Sequence, residues 1–314
     1  MRAVVTGAAG FIGPHLCEHL LAQGDEVVGI DCLTDYYDPR RKQANIAPLL
    51  RHDGFTFHRA DLLTAPLSAL LDGAEVVYHL AGQPGVRPSW GEEFPAYVER
   101  NLLATQRLLE AARDHQLRKF VFASSSSVYG DAEAYPTLET LRPSPVSPYG
   151  VTKLAAEHLC ELYRDTAGVP TASLRLFTVY GPRQRPDMAF SRLIEAAATG
   201  GQFMLYGDGR QTRDFTYVAD VTRAMRDAAL SRWTGVANIG GGSRTSMQEV
   251  VDLVSEIVRP VNVVRLPSQR GDVRHTAADT TVAREGFGYV PTVRLGDGLA
   301  LMAAARATEE VVTP

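Results

Sequence analysis

The chain has 314 residues, 45% of them apolar and 22% charged, a balance expected of a soluble globular protein with one large domain or two. Lys plus Arg number 32 against 36 Asp plus Glu, and a net charge of −4 favours neither nucleic acid nor a membrane surface as partner. No apolar run is long enough to span a bilayer, no leader segment precedes the first strand-like residues, and the three cysteines lack metal-ligand spacing, so the reducing cytoplasm is the expected location. Along the chain, residues 3–5, 26–30, 56–58, 75–80, 119–123 and 171–176 read as short strands. Helical patterns at 14–22, 98–115 and 149–166 fall between them. Pro14 is no obstacle there, because the first helical turn leaves its backbone N–H groups unpaired anyway. Alternation of this kind predicts an α/β fold, a Rossmann-type doubly wound parallel sheet with helices on both faces.

Beyond Phe177 the texture changes. Proline, arginine and glycine crowd residues 181–186, 207–213, 240–244 and 267–271, between short elements such as 246–258 and 294–305. This predicts a smaller α/β lobe over 177–314, with 215–240 returning to pack on the unit formed by 1–176. Residues 308–314 read as a frayed tail.

Gly7, Gly10, Phe11, Ile12 and Gly13 lie in a G-x-x-G-x-x-G run directly after a strand and before a helix. Glycines there permit a tight turn and let backbone amides approach a pyrophosphate at the helix N-terminus. Asp31, ending the second strand, is placed to accept hydrogen bonds from ribose hydroxyls and to repel a 2′-phosphate, which favours NAD over NADP. The basic run Arg40-Arg41-Lys42 falls some ten residues too late to replace it. Asp61 and Leu62 after the third strand fit an adenine pocket, and Leu80, Ala81 and Gly82 a passage for the cofactor backbone. Asn101 fits a support for the central helix; each of these also fits a turn or packing role. Tyr149 and Lys153 stand four apart on a predicted helix and so share one face. A neighbouring ammonium favours the phenolate, which would let Tyr149 remove a proton from an alcohol near neutral pH.

These features together resemble the extended short-chain dehydrogenase/reductases, in their nucleotide-sugar 4-epimerase branch. The resemblance runs over nearly the whole chain. Its markers are the glycine turn, Leu80-Ala81-Gly82, the segment 124–130 (SSSSVYG), Tyr149-Gly150-Val151-Thr152-Lys153 and the segment 213–220 (RDFTYVAD). Segments 35–38 (DYYD), 83–90 (QPGVRPSW) and 177–189 (FTVYGPRQRPDMA) look most like the UDP-glucuronate 4-epimerases, with Pro84 a departure from the small residue usual there. The resemblance implies NAD as cofactor, Tyr149 as base, Lys153 as its partner and Ser125 as the hydroxyl that bonds the sugar O4. It implies hydride removal from C4, a transient 4-keto sugar that turns in its pocket, and hydride return to the other face. Ser126 and Ser127 stand where related dehydratases and decarboxylases carry acidic residues, which favours epimerisation. Arg213 and Arg270 are candidates for the diphosphate and Tyr206 for the uracil, although Arg270 fits a surface charge equally well. Ser126, Ser127 and Thr178 are candidates for a C6 carboxylate, with Arg185 supplying charge and Arg87 a weaker choice. UDP-glucose or TDP-sugar epimerisation, decarboxylation and, from another class, dinucleotide sensing remain the alternatives. Relatives pair the helices at 98–115 and 149–166 across a two-fold axis, so a homodimer is expected, unless both faces are buried within one subunit.

Overall fold

The computed structural model describes residues 1–269 and 271–312. Its centre is a sheet of seven strands: β1 (Arg2–Thr6), β2 (Glu26–Asp31), β3 (Phe55–Arg59), β4 (Val76–His79), β5 (Lys119–Ser125), β6 (Thr171–Leu176) and β7 (Gly235–Ile239). Their order is β7-β6-β5-β4-β1-β2-β3, with every pairing parallel. The doubly wound sheet expected from the alternation of runs is present. Strand order reverses between β1 and β4, where the carboxyl ends leave the crevice that such sheets use for ligands. Helices α1 (Ile12–Ala22) and α4 (Val218–Leu230) pack on one face through Leu16, Leu20, Val221 and Met225. Helices α2 (Ala104–Ala112) and α3 (Pro148–Ala167) cover the other through Leu108, Leu109, Ala156 and Cys160.

Local chemistry sets the two elements that matter most. At α3, Ser147 caps the helix by accepting from the Gly150 amide at 3.1 Å, Pro148 occupies the first turn, and Gly168 ends it in the left-handed region at φ 72°. Between β1 and α1, the Gly7 carbonyl accepts from the Gly10 amide at 3.1 Å. The turn is so tight that a Cβ on Gly13 would lie 2.2 Å from the Gly7 oxygen.

The remaining residues build a second core from Tyr180, Phe190, Leu193, Phe203, Leu205 and Val250. Around it lie helices Ala189–Thr199, Met247–Ile257 and Leu295–Val312 and the parallel pair Gln202–Tyr206 with Asn262–Leu266. Residues 308–312 continue the last helix instead of fraying, a correction to the sequence reading. Segment 215–240 contributes α4 and β7, and β7 pairs with β6 at the sheet edge.

Replacing Gly13 by Ala forces the turn open. The expected cost is about 1–3 kcal/mol, seen as a melting temperature several degrees lower; a wild-type melting curve would contradict this account of the turn.

Candidate active site

Two cavities meet above the carboxyl ends of the strands. The first, of about 400 Å³, runs from the glycine turn past Asp31, Asp61, Leu62 and Leu80-Ala81-Gly82 to Ser125, Tyr149 and Lys153. The second, of about 870 Å³, lies against the smaller lobe and is lined by Arg87, Tyr206, Arg213 and Asp272. Tyr36, Gly85, Val86, Thr178 and Met188 line both. Each volume suits a small-molecule ligand.

At the first cavity's mouth stand Gly7, Gly10, Phe11, Ile12 and Gly13. Asp31 accepts from the amides of Ala9 at 3.1 Å and Leu33 at 2.8 Å, one through each carboxylate oxygen. A carboxylate oxygen has two lone-pair sites, so acceptor capacity remains for ribose hydroxyls. The cramped glycine turn, its helix N-terminus and this carboxylate fit a dinucleotide. Lys42 also reaches this cleft, donating to the carbonyl and the hydroxyl of Thr34, both at 2.8 Å. Asp38 caps a short helix, Pro39–Ile46, with Pro39 at its start, and the helix carries Lys42 back to the cleft. That cap-and-proline signal is legible in the sequence.

Asn101 does not line the cleft among the described residues; it stands behind the wall, in the place expected of a support for the helix rather than as a contact to the cofactor. It is 1% exposed behind the wall, accepting from the Gln83 amide at 2.6 Å and donating to the Gln83 carbonyl and the Thr152 hydroxyl. A widened π-type turn, Val98–Leu103, turns Asn101 inward while Arg100 lines the cleft and donates to Gln83 Oε1 at 2.7 Å. Beneath the wall, His79 bridges the hydroxyls of Thr6 at 2.8 Å and Thr105 at 2.9 Å. Thr6 accepts from the Ala81 amide and Thr105 donates to the Asn101 carbonyl, so the network places the imidazole proton on Nε2. Burial, reinforced by the Lys153 charge, pulls His79 down to about 3. It stays neutral.

At the inner end, Lys153 is 6% exposed and donates from Nζ to the Ala123 carbonyl at 2.9 Å. Burial pulls its ammonium down to about 8, opposed by Cys160 and Glu157. Tyr149 lies edge-on to Tyr97, ring centroids 6.3 Å apart, and Tyr97 is itself tied to the carbonyls of Pro84 and Gly85 at 2.9 Å. Tyr149 shows no net acidification in this structure. Burial raises the phenol above its ordinary value, while a hydrogen bond with Ser125 and the Arg185 charge pull it down. Desolvation of a buried phenolate outweighs those two contacts here. The Ser125 oxygen also accepts from the Ser127 amide at 3.1 Å, which folds Ser126 and Ser127 into the cleft wall.

Thr178 and Arg185 line this same inner end, so four of the five residues expected around a C6 carboxylate are together. Arg185 is held by Asp187 in a two-pronged ion pair, Nε to Oδ1 at 3.0 Å and Nη2 to Oδ2 at 2.9 Å. Arg87 is the exception, and its reading as a carboxylate contact is corrected. Its guanidinium sits 4.2 Å above the Tyr206 ring and pairs with Asp272 at 2.7 Å, in the second cavity. Tyr206 and Arg213 line that cavity, where Arg213 Nη1 donates to the carbonyls of Thr212 and Arg274. Arg270 lies outside the described residues.

Sequence reading missed Tyr36, Lys42 and Arg100 in the cleft walls and Asp187 as the partner of Arg185. Among the described residues no group of His, Cys, Asp and Glu is arranged to hold a metal ion, and no helix is long and apolar enough to cross a membrane.

With this geometry the chain compares closely with known proteins. A family model described as the NAD dependent epimerase/dehydratase family matches residues 3–240. A Bacillus subtilis (strain 168) protein named as an uncharacterized UDP-glucose epimerase, YtcB, is 45% identical over 307 residues, covering 95% of this chain and 96% of the relative. A probable UDP-glucuronate 4-epimerase of Rhizobium meliloti (strain 1021) is 37% identical, covering 96% and 95%. The crystal structure of UDP-glucuronic acid 4-epimerase from Bacillus cereus, in complex with UDP-glucuronic acid and NAD, superposes with a TM-score of 0.95 at 44% identity, covering 98% of this chain and 100% of that one. The chain belongs to the NAD-dependent epimerase/dehydratase family.

Proposed function

We propose that this protein is an NAD-dependent UDP-sugar 4-epimerase that interconverts UDP-glucuronate and UDP-galacturonate. The observation that carries the reading is the meeting, at one end of a dinucleotide-shaped cleft, of Ser125, Tyr149 and Lys153 with Ser126, Ser127, Thr178 and Arg185. Residues 1–176 with 215–240 then form the NAD-binding unit, and the rest of 177–314 mainly holds the nucleotide sugar.

In this mechanism the glycine turn and Asp31 hold the dinucleotide, and Arg213 and Tyr206 seat the nucleotide of the substrate. Bound there, NAD would supply a reversible acceptor for the C4 hydride and, in its oxidised form, positive charge in the inner cleft. Tyr149 takes the O4 proton as the alcohol becomes a ketone and gives it back on return, while Ser125 holds O4. Lys153, fixed by Ala123, supplies the cationic field behind that transfer. Ser126, Ser127 and Thr178 offer neutral hydroxyls to the C6 carboxylate. They grip without shuttling protons, which favours epimerisation over loss of CO₂ or water. A dinucleotide sensor has no use for this set of groups. The exposed Leu103, Val151 and Leu162 on the helices at 98–115 and 149–166 support pairing of two subunits there.

A second reading, a 4-epimerase of neutral UDP-hexoses, draws on Asp187 already neutralising Arg185. Product analysis by NMR decides between reactions. Incubation with UDP-glucuronate is expected to give UDP-galacturonate with no CO₂ released, and the Tyr149→Phe variant is expected to lose activity by at least about 100-fold. A pentose product, or an active Tyr149→Phe variant, would sink the reading.

Arg185→Ala tests the choice of sugar. Loss of a charge-assisted contact costs roughly 1.5–3 kcal/mol, so kcat/KM for UDP-glucuronate relative to UDP-glucose is expected to fall at least tenfold. An unchanged ratio would remove Arg185 from sugar selection.

A further inference from the structure

Glu157 is a buried carboxylate for which the mechanism above has no use. It lies one helical turn beyond Lys153 on α3, so Tyr149, Lys153 and Glu157 fall at i, i+4 and i+8 along one face. Its side chain is 2% exposed. Arg175 on β6 meets it from below, Nε donating to Oε1 at 3.0 Å and Nη2 to Oε2 at 2.8 Å. Arg175 in turn stacks over the Tyr129 ring at 4.6 Å, and Tyr129 donates to Asn238 Oδ1 at 2.8 Å. A buried ion pair is a poor source of stability, since apolar residues of similar volume serve about as well. Two further contacts give this one a different use.

The Ser124 hydroxyl donates to Glu157 Oε1. Consecutive residues at the end of β5 are thus clamped by consecutive turns of α3: Ala123 by Lys153, then Ser124 by Glu157. The next residue is Ser125. Glu157 also supplies charge. The titratable groups facing Lys153 are Tyr149, Glu157 and Cys160 from its own helix and His79 from β4, with Arg175 of β6 beyond Glu157. Burial pushes Cys160 up to about 12, His79 falls to about 3, and burial raises Tyr149, so all three are neutral at physiological pH. Only Glu157 among these carries a negative charge toward the ammonium.

We propose that Glu157 is a positioning residue of the catalytic group, locking the Ser124–Ser125 end of β5 onto α3 and keeping Lys153 protonated. The inference rests on Tyr149 and Lys153 being catalytic as set out above. A buried carboxylate beside the ammonium favours its protonated form, and the Arg175 charge beyond it offsets only part of that effect. The sign is fixed. Lys153 loses its proton as pH rises through about 8, and removing a negative neighbour brings that loss to lower pH.

The test is the pH profile of kcat for the NAD-loaded enzyme acting on UDP-glucuronate. Glu157→Gln is expected to move the alkaline limb down by about one pH unit and to lower kcat with little change in KM. Because Glu157→Gln strands Arg175, the volume-matched double variant Glu157→Gln/Arg175→Met keeps the test available if the single variant fails to fold; a smaller displacement in the same direction is expected in it, because loss of the more distant Arg175 charge offsets part of the effect. Glu157→Asp is expected to return the limb part of the way. Ser124→Ala, which keeps both charges, is expected to lower kcat and leave the limb in place. A limb at the wild-type pH in the folded Gln-containing variants overturns the electrostatic role, and wild-type kcat in Ser124→Ala overturns the clamp. Tyr149→Phe in the same assay separates the two levels. If it stays active, the reading of the catalytic group has failed; if it is inactive while the limb stays put, only the role of Glu157 falls.

Discussion

Lys153 is almost entirely removed from water, and its ammonium is held on the Ala123 carbonyl near the carboxyl end of β5. A buried cation must be compensated or lose its proton. Much of the inner site follows from that demand. The bond to Ala123 fixes α3 against the end of β5, and this sets Tyr149 against Ser125. His79, the nearest basic side chain in the sheet, is kept neutral partly by the same charge and serves as a bridge between two threonines. Through Thr6 and Thr105 it ties the Ala81 amide to the Asn101 carbonyl, so the cleft wall and the catalytic helix are braced by one polar chain.

The elevated phenol of Tyr149 refines the usual picture of a tyrosine activated by an adjacent lysine. Without other cations, burial dominates. At the junction with the second cavity the balance is finer. Arg185 is already satisfied by Asp187, so its attraction for a sugar carboxylate is a difference between two partners rather than the strength of a free cation.

Features that depend on local spacing were legible in the sequence. The glycine turn, Asp31 at a strand end and the Tyr149–Lys153 face are consequences of β and α periodicity, and the strands lie within a residue or two of their expected positions. What escaped depends on how the chain folds back. Lys42 returns to the cleft because of a capped helix, Asn101 turns behind the wall because of a widened turn, and Arg87 crosses to Tyr206 and Asp272 because two loops meet. The last helix extends to Val312 where the polar, small residues suggested a tail. The pKa direction of Tyr149 could not be read from spacing, because it is set by desolvation, which depends on the whole surrounding fold.

Retention of hydrogen at C4 tests the central claim most directly. A mixture of UDP-glucuronate deuterated at C4 and a second, unlabelled substrate distinguished by carbon-13 would be converted and both products analysed by mass spectrometry. A hydride held on a tightly bound cofactor and returned to the molecule that gave it predicts deuterium confined to the originally labelled product, with none lost to water. Deuterium appearing in the carbon-13 product, or washing out into solvent, would contradict the account.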